Sequence, residues 1–250
     1  MVRNPTARAY SCDKCPLRAN DIFTNVSDKH LDFIKGFKSS ERPVKRGATI
    51  IDEGVSSTHI YTVLSGWGYR SKQLPDGRRQ ILNYVFPGDL IGLQSAVADE
   101  MQHTVEALSD MRLCCFERRR LWELYQKHPP LAYDITWLAA REEMLLDANL
   151  LSVGRRTARE RTAFLVLHLF ERARAVGMTD RDKMLLPLTQ QHVADTLGLS
   201  LVHTNKTLRE LQRLDLFTWS DRTLRIVNRG KLAAVARWQE GDEPRRRPMI

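Results

Sequence analysis

The stretch Thr189–Leu211, TQQHVADTLGLSLVHTNKTLREL, admits few folds. It reads as two short helices about a tight corner. Pro187 marks a break upstream. Thr189 can cap the first helix, because a hydroxyl can accept from an early N–H that lacks an intrahelical partner. Val193, Ala194 and Leu197 give that helix an apolar side. Gly198 stands where the chain must reverse, and glycine takes a positive φ without a Cβ clash. Ser200 can cap the second helix. At 3.6 residues per turn, Thr204, Thr207, Leu208 and Leu211 share one side, and Val202, Asn205, Lys206 and Arg209 share the other. One face packs. The other offers an amide, two cations and a small apolar group, the set a helix needs in a DNA major groove. A helical hairpin with a solvated charged face would show the same pattern, and the residues that follow decide between the two. Phe217–Trp219 and Thr223–Ile226 read as short strands, with Ser220, Asp221 and Arg222 as the turn. A helical hairpin followed by a β-hairpin is a winged helix-turn-helix.

Charge supports a polyanion partner for that part of the chain. The net charge is +9 over 250 residues. Residues 1–154 hold 20 Lys/Arg and 19 Asp/Glu, residues 155–240 hold 16 and 9, and residues 241–250 hold 3 and 2. An excess concentrated around the helix pair favours nucleic acid. Apolar residues make up 42%, enough for a globular protein with two modest domains. No apolar run approaches the length of a bilayer-spanning helix, and the first residues lack the apolar core of a secretory signal. The expected location is the cytoplasm, with no membrane partner.

Upstream, short β-prone runs alternate with turn signals. They are Thr49–Ile51, Ile60–Leu64, Trp67–Ser71, Gln80–Val85 and Thr104–Leu108, punctuated by Gly47, Gly54, Gly66, Gly77 and Gly88. Asp76–Gly77 looks like a hairpin tip. Such a meander rolls into a double-sheet jelly roll. His30–Ile34 belongs to a leading helix, and Arg118–Tyr125 suggests a short one stopped near Pro129 and Pro130. Residues 131–151 then run without Pro or Gly. Leu131, Ile135, Leu138, Glu142, Leu145 and Asn149 alternate four- and three-residue spacings. They read as a coiled-coil-like dimerisation seam, whose polar positions can fix register. The other reading is a single amphipathic helix packed on its own domain. Residues 152–156 are the expected hinge. Thr157–Phe170 reads as an amphipathic helix with Ala163, Phe164, Leu167 and Phe170 inward, and Asn228 caps a final helix to about Glu240.

The strings LTQQHVADTLGLS at Leu188–Ser200 and FPGDLIG at Phe86–Gly92 resemble the Crp/Fnr family of bacterial transcription regulators, and the likeness runs from about Phe23 to about Glu240. It implies an α+β fold: an N-terminal jelly roll of the cyclic-nucleotide-binding type, a long dimerisation helix and a C-terminal winged helix-turn-helix domain. The implied boundaries are residues 1–23 for an extension with a CxxC motif, 24–127 for the sensor roll, 128–154 for the dimerisation helix and hinge, 155–240 for the DNA-binding domain and 241–250 for a flexible basic tail. It implies a DNA-binding regulator, not an enzyme, that meets an inverted-repeat operator as a homodimer. Double-stranded DNA and a second copy are the expected partners, RNA polymerase is a candidate, and the small-molecule effector is unnamed.

Carried across position by position, the family's base contacts fall on Leu201, Val202, Asn205 and Lys206. Many relatives place Arg at the first, Glu at the second and Arg at the last, and only the last keeps its charge here. The missing Glu removes an acceptor for cytosine N4, so the target should differ from the common family half-site. Ser200, His203 and Thr204 are read as phosphate or packing residues, and Arg209 and Arg222 as backbone contacts.

The resemblance also bears on the effector. Nucleotide-binding relatives have Glu after the glycine of the phosphate cassette and an Arg-Ser pair later. Here Leu93 and Gln94 follow Gly92, and the later pair falls on Met101 and Gln102. A phosphate would lack its cation and a ribose hydroxyl its acceptor, so cyclic AMP is not the expected effector. His59 and His103 are read as ordinary structural or surface histidines. Iron–sulfur members carry an N-terminal cysteine cluster and one internal cysteine. This chain has Cys12 and Cys15 but no third cysteine through Asn25, and the internal position falls on Arg112, two residues before Cys114. Such clusters usually need four thiolates, so no cofactor is expected. A redox- or metal-responsive switch at Cys12 and Cys15 is the alternative reading.

Overall fold

The computed structural model describes residues 10–239 and 245–250. These fall into two compact units, one of residues up to 72, 84–144 and 246–250, the other of residues 73–83 and 145–245.

In the first unit, Ser27 caps α1 (Asp28–Phe37) by accepting from the His30 N–H, and Leu31, Ile34 and Phe37 point inward. The roll follows as β1 (Lys38–Val44), β2 (Thr49–Ile51), β3 (His59–Ser65), β4 (Gly68–Gln73), β5 (Arg79–Val85), β6 (Leu90–Ile91), the short helix α2 (Leu93–Ala98), β7 (Thr104–Ala107) and β8 (Met111–Glu117). The strands form two four-stranded sheets, ordered β1-β8-β3-β6 and β2-β7-β4-β5. Tyr61, Val63, Val85, Ile91, Met101, Val105, Leu113 and Cys115 fill the space inside them. β3 is buried from Ile60 to Leu64. Because side chains alternate along a strand, Tyr61 and Val63 face that interior while Thr62 lies on the outer side, which is also covered. Five of the eight strands were legible as β-prone runs between turn signals. β1, β6 and β8 were not: β1 is mostly polar (KSSERPV), β6 has two residues, and β8 (MRLCCFE) runs straight into Arg118–Arg120 with no Gly or Pro to mark its end.

After α3 (Leu121–Lys127), α4 runs from Pro129 to Arg155, continuing from the first unit through Met144 into the second from Leu145. Pro129 is tolerated at its start because an early helical N–H is unpaired anyway. The helix extends through the expected hinge. One residue, Arg156, separates its end from Thr157, which caps α5 (Ala158–Ala175) in a reciprocal box with Glu160.

In the second unit, α5 is buried without a break from Thr162 to Ala173; Ala163, Phe164, Leu167 and Phe170 are among these, but the helix is covered all round rather than amphipathic as expected. It is followed by β9 (Thr179–Asp180), β10 (Lys183–Leu185), α6 (Gln190–Leu197), α7 (Leu201–Arg213), β11 (Phe217–Ser220), β12 (Thr223–Ile226) and α8 (Arg229–Ala236). The wing is a four-stranded sheet, β11-β12-β10-β9, larger than the two strands expected from the sequence. Asn228 caps α8 as expected, but the helix stops at Ala236, where Arg237 takes a left-handed conformation.

Candidate nucleic-acid interface

The corner between α6 and α7 is held by three local devices. Thr189 Oγ1 accepts from the His192 N–H at 3.2 Å, and His192 Nδ1 accepts from the Thr189 N–H at 3.0 Å, so both ends of a capping box are present. Gly198 has φ +62°, and its N–H together with that of Leu199 bonds the Ala194 carbonyl. Ser200 Oγ accepts from the His203 N–H at 3.2 Å and starts α7. Each satisfies a backbone group that would otherwise be open at a helix end.

The division of α7 into two faces is as read from the sequence. Thr204, Thr207, Leu208 and Leu211 are buried, and the Thr207 hydroxyl donates to the His203 carbonyl. The opposite face is open: Val202 is 81% exposed, and Leu201, His203, Lys206 and Arg209 are also exposed. Asn205 is half-buried, with its amide oxygen shielded and unpaired. Lys206, Arg209 and Arg222 form no ion pair with any described residue, unlike Arg159, which reaches Glu210 at 3.5 Å. An unpaired cation on a rigid element is free to meet a phosphate or a guanine edge. Arg222 lies in the β11–β12 turn, where Asp221 and Arg222 both have positive φ, 48° and 59°. That pairing is a type I′ turn, which matches the strand twist.

The dimerisation residues are placed differently from the seam expected. Leu131 and Ile135 are each only 1% exposed, and Leu138 is buried. Glu142 is committed to Arg70, and Asn149 donates to the Leu82 carbonyl at 2.7 Å. Leu145 is half-buried. This face of α4 already packs within its own chain. A second stripe, offset by two residues, is the one left open. Tyr133, Ala140, Met144 and Leu151 on it are exposed, with Trp137 half-buried. The same four–three spacing fits both stripes, so spacing could not tell which of them the chain itself covers.

Cys12 opens a short 3-10 turn (Cys12–Lys14) and Cys15 lies between it and the next (Pro16–Ala19); both are half-buried. Burial pushes both thiols up, so each stays protonated near neutrality and is a poor nucleophile. Cys114 on β8 is buried, and burial raises its thiol strongly. Arg112 bonds Glu41 at 3.0 Å and lies over the Tyr10 ring. Among the described residues, no three His, Cys, Asp or Glu are grouped to hold a metal ion. Also among them, no helix is long and apolar enough to cross a membrane.

A β-roll and a winged helix-turn-helix on one chain define a class of DNA-binding transcription regulators. Residues 41–128 match the family model described as a cyclic nucleotide-binding domain, and residues 160–235 match the Crp-like helix-turn-helix domain. The chain is 29% identical to the transcriptional activator protein FnrL of Cereibacter sphaeroides, over 82% of each chain. It is also 29% identical to the nitrogen fixation regulation protein FixK of Bradyrhizobium diazoefficiens, over 82% of this chain and 84% of that one. The solved structure of FixK2 from Bradyrhizobium japonicum is similar, with a TM-score of 0.71 and 27% identity over 78% of this chain and 96% of that one. The chain belongs to the Crp/Fnr family. Its relatives and its fold are those of transcription regulators, not of enzymes.

Proposed function

We propose that this regulator binds an inverted-repeat DNA site as a homodimer, reads it with the outer face of α7, and does so without cyclic AMP. The observation that carries the reading is the α7 surface itself: exposed Val202, Lys206 and Arg209 with half-buried Asn205 between them, on a helix capped at Ser200 and backed by four buried residues. Asn205 can read adenine, Lys206 guanine or a phosphate, and Val202 a thymine methyl. Ser200 and His203 stand at the helix start, where N–H groups favour a phosphate. A single recognition helix makes few contacts, and doubling it through a two-fold axis is how such domains gain affinity. The open stripe of α4 through Tyr133, Met144 and Leu151 supports the second copy, since exposed apolar side chains at heptad spacing gain by meeting their like. Two similar proteins are named transcriptional activators, and on that analogy the output is activation through RNA polymerase.

Three features of the roll argue against cyclic AMP. Gly92 is followed by Leu93 and Gln94, and Gln94 Oε1 accepts from the Gln102 N–H at 3.2 Å, closing the cassette on itself. Met101 is packed into the core. Arg70, a buried cation in the roll, is held by Glu142 and the Leu90 carbonyl. Adding cyclic AMP should leave both DNA affinity and melting temperature unchanged. A rise in either would overturn this part of the reading.

A further inference from the structure

In the first unit, Arg247, Pro248, Met249 and Ile250 are buried. The expectation of a flexible basic tail is thus corrected for these four residues; residues 241–244 lie outside the described ones. Arg247 adds one rung of parallel β-bridge to the chain at Phe23. Its N–H donates to the Ile22 carbonyl at 2.8 Å, and the Thr24 N–H donates to the Arg247 carbonyl at 2.9 Å. Its guanidinium, on a residue only 2% exposed, bonds the Asp89 carboxylate and the Pro87 carbonyl and lies 4.9 Å from the centre of the Phe23 ring. Three residues on, Thr62 Oγ1 donates to the Ile250 carbonyl at 2.6 Å, on the outer side of β3. The floor is Gly88, where an added Cβ would stand 2.3 Å from Phe23 Cε1 and 3.1 Å from the Arg247 guanidinium.

We infer that the outer face of the roll is a peptide-binding groove for an extended Arg-Pro-Met-Ile segment, and that residues 246–250 are its resident occupant. Main-chain bonds at Ile22 and Thr24 supply affinity, and side-chain pockets supply specificity, as in recognition by strand addition. Asp89 selects arginine, because a buried carboxylate flanked by a carbonyl and a ring face matches a planar guanidinium. The occupant is releasable. Asp89 also accepts from Arg141 of α4 at 3.1 Å and from the Phe86 N–H at 2.8 Å, so it keeps a cation and a donor when Arg247 leaves. Docking places two guanidinium groups on one carboxylate, and release removes that repulsion. The segment is therefore a latch that shares Asp89 with Arg141 when docked and leaves it to Arg141 when released.

The test uses the full chain and a chain ending at residue 244. A labelled peptide of residues 241–250 should bind the shortened chain one to one and should not bind the full chain, whose groove is filled. Arg247→Ala in the peptide should weaken binding at least tenfold. In the full chain, hydrogen exchange should show the Arg247 and Thr24 amides protected, and Arg247→Ala should lose that protection while the β8 amides keep theirs. Equal binding of the wild-type and Arg247→Ala peptides would overturn the inference. So would exchange of the wild-type Arg247 amide at the rate of an unstructured chain, a measurement that does not depend on the shortened chain folding. Protection that disappears on dilution would place the segment in the groove of a second copy, which would overturn the intramolecular latch.

Discussion

At the residue scale, the proposed reading of DNA by α7 is tested most directly at Lys206. It is exposed and paired with no described carboxylate, so its charge is available to a phosphate or a guanine edge. Lys206→Ala should cost about 1–3 kcal/mol in binding and relax the preference at one base pair, measured by competition among single-substitution duplexes. An equal loss on every duplex would mark it as a phosphate contact. Arg222 should behave in that second way. At φ 59° it is already where glycine is comfortable, so Arg222→Gly removes charge without straining the wing. It should weaken all duplexes alike and lower the slope of log Kobs against log salt by about 0.9. Inside the roll, burial among Arg70 and Lys72 pushes His103 down from 6.5 to about 4. Its folded pKa lies below its unfolded one, so between those values the unfolded chain binds more protons. Stability should therefore fall as pH drops from about 6.5 toward 4, by up to about 3 kcal/mol. His103→Gln should flatten that part of a urea-midpoint-against-pH profile.

At the scale of the element, the caps were readable and the covered face of α4 was not. Thr189, Gly198 and Ser200 announce helix ends because each does so by its own local chemistry, whatever surrounds it. Gly198→Ala meets nothing closer than 3.8 Å, so its cost is backbone strain alone, about 1 kcal/mol. Thr189→Ala should cost about 1 kcal/mol through the lost cap. Both are measurable as shifts in urea midpoint. For α4, by contrast, the sequence offers two stripes with one spacing. The polar positions Glu142 and Asn149 suggested a register device between copies, but they bond Arg70 and Leu82 of their own chain. Which stripe is covered depends on partners more than 50 residues away, and no local rule reports them. Leu151→Asp, at a position 53% exposed, should dissociate the dimer in sedimentation while the monomer stays folded. Leu138→Asp should instead unfold the chain, because it would bury an unpaired charge.

For the whole molecule, length, charge asymmetry and two motifs were enough to name the fold, since each half is built from local signals: glycine-punctuated strands in one, capped helices in the other. What escaped the sequence is long-range. Arg247 reads as one of three basic residues in a row, and nothing local distinguishes it from Arg245 and Arg246, which stay exposed. Its burial depends on Asp89 and Phe23, far away in the chain. The most direct test of the central claim is selection from random duplexes at moderate salt, carried out with the wild-type protein and with Lys206→Ala. The expected result is an inverted repeat whose half-sites lie about one helical turn apart, with the preference blurred at one symmetric pair of positions in the variant. Failure to enrich any sequence, or enrichment of a lone half-site by a monomer, would contradict the claim that α7 reads DNA in duplicate.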